Sequence, residues 1–323
     1  MTRTRRVVAA VTPAPVKKAR RAVVALAPLP GLMRNTRLRA RFDGAADAPL
    51  VSVVIATYNW SSVLRCAIAS ALAQTYPAVE VVVVGDACTD DSEEVVASFG
   101  DERVRWHNLP ENSGNQALPN NAGIELARGD YIAYLGHDDI WLPSHLSLVM
   151  NAVVAGGADL GYAVTQLIGP KGSGFRRWRG IGPGEWGIPP PSAFLHTKRL
   201  IDEIGPWKDY RTISAPPDLE LVERARGHGA TFAPSHALTV VKFPSALRQG
   251  SYLTKLSDEQ ETYLRRIRHE RAFVAREFLG LAAALMRAEF SDPWERLPTA
   301  APPNPVPPGW YVTQWRRTRG LEE

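Results

Sequence analysis

The stretch "VVVVGDACTDDS", residues 81–92, decides how this chain is read. Val81, Val82, Val83 and Val84 form an unbroken apolar run, which predicts a short strand buried on both faces. It runs directly into Gly85, Asp86, Asp90 and Asp91. Acids in that place either cap the helix that follows or stand at the carboxyl end of the strand to meet a ligand. The rest of the chain has to choose between them.

Working outward, the same rhythm recurs on both sides. "LVSVVIATYN" predicts a buried strand, and "WSSVLRCAIASALAQTY" sets Val63, Leu64, Ala67, Ile68, Ala71 and Leu72 at helical spacing. Asn59 and Ser61 are both suited to cap that helix. Beyond the opening stretch, "RVRWHNL" predicts a strand, "NQALPNNAGIELARG" a helix and "DYIAYLG" another strand. Strands alternating with short helices imply βαβ units, a mostly parallel sheet and helices on both faces. After Trp141 the pattern loosens. "PSAFLHTKRLIDEIG" and "PDLELVERARGHG" predict helices that close on glycine, while residues 169–191, rich in Gly and Pro, predict a long loop.

Bulk composition is that of a globular protein, with 323 residues, 45% hydrophobic and 22% charged. The net charge of +5 hides an asymmetry: residues 1–41 hold eleven Arg or Lys and no acid, leaving 27 bases against 33 acids in the remainder. The expected organisation is a basic arm over 1–48, an α/β domain over 49–250 and an amphipathic helical extension over 251–297. A Pro-rich spacer and a basic aromatic tail fill 298–323. Within the domain, residues 49–141 form one half and 142–250 the other. No run reaches the roughly 18 apolar residues that span a bilayer. The two cysteines, Cys66 and Cys88, make neither a disulfide framework nor a metal set. A cytoplasmic protein is expected, with the arm, helped by the aromatic tail, drawn to anionic lipid at the inner face of a membrane. Nucleic-acid binding by the arm is not expected, because no nucleic-acid module accompanies it.

Ligands of an open parallel sheet bind beyond the carboxyl ends of its strands. Three predicted strands end there in polar groups: "TYN", "GDACTDD" and "GHDD". A Gly-rich dinucleotide loop and a P-loop are both lacking. The order and spacing of "VSVVIATYN", "VVVVGDACTDD", "NNAGIELARGDYIAYLGHDDIW" and "PPDLELVERA" instead resemble family-2 glycosyltransferases, over about residues 50–230. The resemblance implies the GT-A (nucleotide-diphospho-sugar transferase) fold, a Rossmann-like mostly parallel sheet flanked by helices. It also implies an inverting transferase that moves a sugar from a nucleotide-diphosphate donor to a hydroxyl of a glycan, a lipid-linked sugar or a surface-polymer precursor. A nucleotidyltransferase of related fold would need a Gly-rich, basic loop after the first strand, and "TYNWSS" is not one.

On that reading Thr57 and Tyr58 meet the nucleotide, Tyr58 by stacking on the base, and Asp86 accepts a hydrogen bond from it. Asn120 stands where many relatives carry an arginine. A divalent cation, Mn²⁺ or Mg²⁺, is expected on the diphosphate. Asp138 is the leading metal ligand and His137 a second candidate, within a signature whose first acid is replaced by Gly136. Asp139 is expected to cap the next segment or to orient Asp138. Asp218 is the expected general base, preceded by Pro217 where the family has a glutamate, whereas Glu220 and Glu223 are expected to form ion pairs with Arg224 and Arg226. His196 and Trp207 are the acceptor-side candidates. The departures at Gly85, Gly136 and Pro217 keep open an alternative, a weak or inactive relative that binds a nucleotide sugar as a partner subunit.

Overall fold

A computed structural model describes residues 29–171, 176–179, 189–287 and 302–321. Most of the arm lies outside them, as does most of the loop 169–191. The valine run is a strand, β2 (Val79–Gly85), with every residue buried. It pairs in parallel with β1 (Val51–Thr57), from Val51 opposite Val79 to Thr57 opposite Gly85. The strand β3 (Val104–Asn108) flanks β2, and β4 (Tyr131–Tyr134) flanks β1, both in parallel. The helices Ser61–Leu72, Ser92–Ala97 and Ala117–Leu126 make the crossovers. This explains the all-apolar strand pattern, since a parallel sheet covered on both faces has no solvent side.

Beyond β4 the sheet ceases to be parallel. The remaining strands are β5 (Ile140–Trp141), β6 (Leu160–Ile168), β7 (Arg176–Arg179), β8 (Phe194–Thr197) and β9 (Phe232–Lys242). The path runs β3-β2-β1-β4-β8-β6-β9-β5, with β7 paired to β6. β8 is antiparallel to both β4 and β6, and β5 is antiparallel to β9. Among the described strands of this half, only β6 and β9 form a parallel pair. The sheet is thus parallel in its first half and mixed in its second. The segment "PSAFLHTKRLIDEIG", predicted helical throughout, contributes β8 before its helix Lys198–Ile204 begins. Thr197 marks the switch by accepting a hydrogen bond from Leu200 N (3.3 Å) as N-cap.

The C-terminal extension covers this second half. It comprises the helices Ser251–Thr254, Asp258–His269 and Phe273–Arg287. Tyr263, Ile267 and Phe273 pack with Ile140, Leu142, Val241 and Phe243, and Phe278 and Leu281 pack with Val164 and Leu238. The end of the expected arm joins in: Leu32 belongs to the latter cluster, and Thr36 Oγ1 accepts from Leu238 N (2.8 Å). The basic aromatic tail forms the helix Trp310–Arg319, which packs against the turns at Ser245–Leu247 and Ser251–Thr254. No helix among the described residues is long and apolar enough to cross a membrane.

Candidate active site

The registers of β1, β2 and β4 bring "TYN", "GDACTDD" and "GHDD" to one sheet edge. The first two are tied backbone to backbone, Asp86 N donating to Thr57 O (2.8 Å). The third is tied by a side chain, with Thr57 Oγ1 2.8 Å from His137 Nδ1.

The acids that opened the question have divided roles. Asp90 is structural: Oδ2 accepts from Ser61 N (3.1 Å) at the start of one helix, and Oδ1 accepts from Ser92 N (3.2 Å) at the start of the next. Neither Asn59 nor Ser61 caps the first helix with its own side chain. Asn59, in the left-handed region at φ 44°, accepts from Thr89 N (2.7 Å) and Asp90 N (3.2 Å), which leaves the capping to Asp90. Asp86 reaches across the edge, its carboxylate accepting from Ser113 N (2.8 Å) and Gly114 N (3.1 Å). Burial raises its pKa, against these hydrogen bonds and the charge of Arg316. Gly85 precedes it because a Cβ there would meet the Trp106 ring at 2.6 Å.

The turn after β4 is built around Asp139, which is fully buried. Lys242 Nζ sits 2.7 Å from its carboxylate, and Phe243 N (3.2 Å) and the Ser192 hydroxyl also donate to it. Asp139 therefore anchors the turn to β9. A Cβ at Gly136 would stand 2.8 Å from Asp139 Oδ2 and 3.3 Å from Asp138 Oδ1. The missing first acid is thus replaced by a glycine where the neighbouring carboxylates occupy the space.

Asp138 carries a carboxylate that no other described side chain hydrogen-bonds. Burial opposes its charge, but Lys242, His137 and Arg319 outweigh that and hold its pKa below the ordinary value. His137 is placed differently from the expectation of a metal ligand. Nδ1 faces Thr57, and Nε2 lies 3.0 Å from the Tyr252 hydroxyl, so both ring nitrogens are committed. Burial lowers its pKa, against the charge of Asp138. Among the described residues, no three His, Cys, Asp or Glu side chains gather closely enough to hold a metal by themselves.

Tyr58 is half-buried at the rim, its ring stacked against Tyr252 with centroids 6.4 Å apart. Asn120 is buried, and its amide makes no hydrogen bond among the described residues. Asn121 is structural, exchanging two bonds of 2.9 Å with the backbone of Trp207. His196 and Trp207, expected on the acceptor side, belong to the core. His196 bridges the Tyr134 hydroxyl and the Thr197 carbonyl, each at 2.8 Å, and Trp207 packs edge-on against Tyr134 at 5.1 Å. The cause is β8, whose insertion beside β4 carries His196 into the sheet interior.

Asp218 lies in the first turn of the helix Pro217–His228. Its carboxylate makes no hydrogen bond or ion pair among the described residues, and Pro216 rather than Asp218 takes the N-cap position. Its competitors are engaged. Glu220 pairs with Arg224 (2.9 Å) and Lys208 (2.7 Å), and Glu223 with Arg226 (2.5 Å). Arg224 also donates to the carbonyls of Gly205 and Pro206, so the Glu220 pair locks a loop instead of facing solvent.

Four residues at or near this edge carried no readable signal: Tyr252, Ser192, Arg316 and Arg319 come from segments remote in sequence. Lys242 did carry one, a lone cation closing the apolar run "LTVV".

A parallel half-sheet continued by mixed strands, with acids gathered at its carboxyl edge, defines the GT-A class. The S. aureus protein TarS, residues 1–349 in complex with UDP-GlcNAc, shares this fold. Its TM-score is 0.50 at 18% identity, over 75% of this chain and 73% of that one. Residues 52–206 match the model of glycosyl transferase family 2. An uncharacterised glycosyltransferase of Rickettsia felis is 40% identical over 132 residues, 40% of this chain and 21% of its own length. The Escherichia coli UDP-Glc:alpha-D-GlcNAc-diphosphoundecaprenol beta-1,3-glucosyltransferase WfaP is 34% identical over 98 residues, 30% of this chain and 39% of its own. The chain thus spans well under half of either relative.

Proposed function

We propose that this protein is an inverting glycosyltransferase that moves a sugar from a nucleotide-diphosphate donor to a hydroxyl of a glycan or lipid-linked acceptor. The observation that carries the reading is the gathering of Tyr58, Asp86 and Asp138 at one sheet edge inside the family-2 domain. Tyr58 offers a π face to the base, and Asp86 holds the amides of Ser113 and Gly114 that would border the nucleoside. Asp138, whose carboxylate no other described side chain hydrogen-bonds, would hold a divalent cation, Mn²⁺ or Mg²⁺. A single protein carboxylate suits such an ion when the donor's phosphates supply further oxygens. Once bound, the cation would offset charge gathering on the diphosphate leaving group.

Asp218 is the base of this scheme. It takes the proton of the acceptor hydroxyl as that oxygen bonds to the anomeric carbon, while the bond from this carbon to the diphosphate oxygen breaks on the opposite face. The acceptor named in the E. coli relative is lipid-linked, which favours that class here. The eleven cations of residues 1–41 would help hold the protein at the anionic membrane where such acceptors reside.

A thermal-shift screen of nucleotide sugars with Mn²⁺, followed by donor turnover, tests the proposal. A stabilising donor that is turned over, with turnover lost in Asp218→Asn, is the expected result. Stabilisation without turnover would favour the partner-subunit alternative, to which Gly85, Gly136 and Pro217 lend support. No stabilisation by any nucleotide sugar would sink both.

A further inference from the structure

The helix Trp310–Arg319 enters the site so far only through the charges of Arg316 and Arg319, yet it is fastened to it at three points. Gly309 N donates to Ile213 O (2.9 Å), in the loop that leads to Asp218. Arg316 Nη1 donates to Gly114 O (2.9 Å), beside the amides that Asp86 holds. Thr318 O accepts from Gly250 N (2.9 Å), two residues before the tyrosine that meets His137. The helix therefore rests on the Gly114 turn that Asp86 holds, on the loop leading to Asp218 and on the turn leading to Tyr252. Its end is equally defined. Gly320 caps it at φ +79°, where a Cβ would meet Leu253 Cγ at 2.7 Å.

Arg319 occupies the last turn, three residues from Arg316 and so on the same side of the helix. Its Nε is buried without a hydrogen-bond partner among the described residues. Its charge acts on Asp138, His137, Tyr252 and Lys242. A buried guanidinium donor without an acceptor is costly, and the planar guanidinium fork suits phosphate oxygens. The site also needs a cation from outside the sheet. A diphosphate would enter an edge that already holds Asp86, Asp138 and Asp139, where Lys242 is taken by Asp139 and Asn120 supplies only an amide.

Resting on the donor reading above, we propose that Arg319 binds the diphosphate of the donor, which makes the C-terminal helix a wall of the donor site. Arg319 is a binding residue in this scheme, and Arg316 fixes the helix over the Gly114 loop.

Isothermal titration of the full chain with UDP, GDP and dTDP in Mg²⁺, alongside the matching monophosphates, tests this. For the nucleotide that wild type binds, Arg319→Ala should weaken the diphosphate about tenfold or more and the monophosphate by less than about threefold. Arg319→Lys should recover part of the loss, keeping charge without the fork. Diphosphate affinity unchanged in Arg319→Ala overturns the inference while leaving the donor reading intact. Equal losses for diphosphate and monophosphate also overturn it, since they mark a structural role. If Arg319→Ala does not fold, Arg319→Gln serves in the same titration with the same two outcomes. Wild type binding none of the three nucleotides would instead remove the donor reading, and the inference with it.

Discussion

Replacing Lys242 with methionine tests the anchor of the candidate site. The Asp139 carboxylate is fully buried, and Lys242 is its one cationic partner among the described residues, at 2.7 Å. Methionine keeps much of the aliphatic stem, so the packing of β9 is largely preserved and the charge alone is lost. Asp139 then retains only the Ser192 hydroxyl and the Phe243 amide, with Asp138 adjacent in sequence. Breaking a buried pair by removing one partner costs about 3–5 kcal/mol. The Lys242 side chain is 24% exposed, so water screens part of the loss and the lower end of that range, about 3 kcal/mol, applies. In a domain of this size that corresponds to a fall of roughly 6–12 °C in Tm. The assay is urea unfolding followed by circular dichroism, on Lys242→Met, Asp139→Asn and the double variant. If the pair is what matters, the double variant recovers a good part of the Lys242→Met loss. A Lys242→Met loss below about 1 kcal/mol, or no recovery in the double variant, would refute the reasoning.

Four other outcomes can be checked. Asp138→Asn should remove the metal dependence of donor turnover with the fold intact, and normal turnover of that variant in a chelator would show the cation is held elsewhere. Losing the base in Asp218→Asn should lower turnover by roughly 10²–10⁴ while donor affinity holds, and an intact rate would exclude it. Acid should destabilise the protein through two core histidines: burial lowers His145 from 6.5 to about 3 and His196 from 6.5 to about 4. Because the folded state binds fewer protons below pH 6.5, this stability is whole above that pH. It is lost on acidification, by up to about 3 kcal/mol for His196 at pH 4, so urea midpoints that stay flat from pH 7 to 4.5 would contradict it. Gly136→Asp, which restores the acid usual in the family, should cost about 2 kcal/mol or more, because the new Cβ would meet Asp139 Oδ2 at 2.8 Å.

The sequence by itself determined the parallel half of the sheet and the edge at which the site gathers. Those features are local: an apolar run long enough for one strand, helical spacing of Val63, Leu64, Ala67 and Ile68, and polar residues directly after each strand. Register then follows, because strands linked by helical crossovers lie parallel and bring their carboxyl ends together. The placement of Tyr58, Asp86 and Asp138 at that edge was legible for that reason. Only the tertiary structure decided the rest. Whether "AFLHT" joins β4 as a strand or begins a helix depends on a partner strand far along the chain, and that choice carried His196 and Trp207 into the core. The committed nitrogens of His137 depend on Thr57 and on Tyr252, 115 residues away in sequence. The tail reads as a basic aromatic segment for a membrane surface until Gly309, Arg316 and Thr318 find their partners. A charge pattern records which residues seek a partner, and only the packed chain records which partner comes within hydrogen-bond reach.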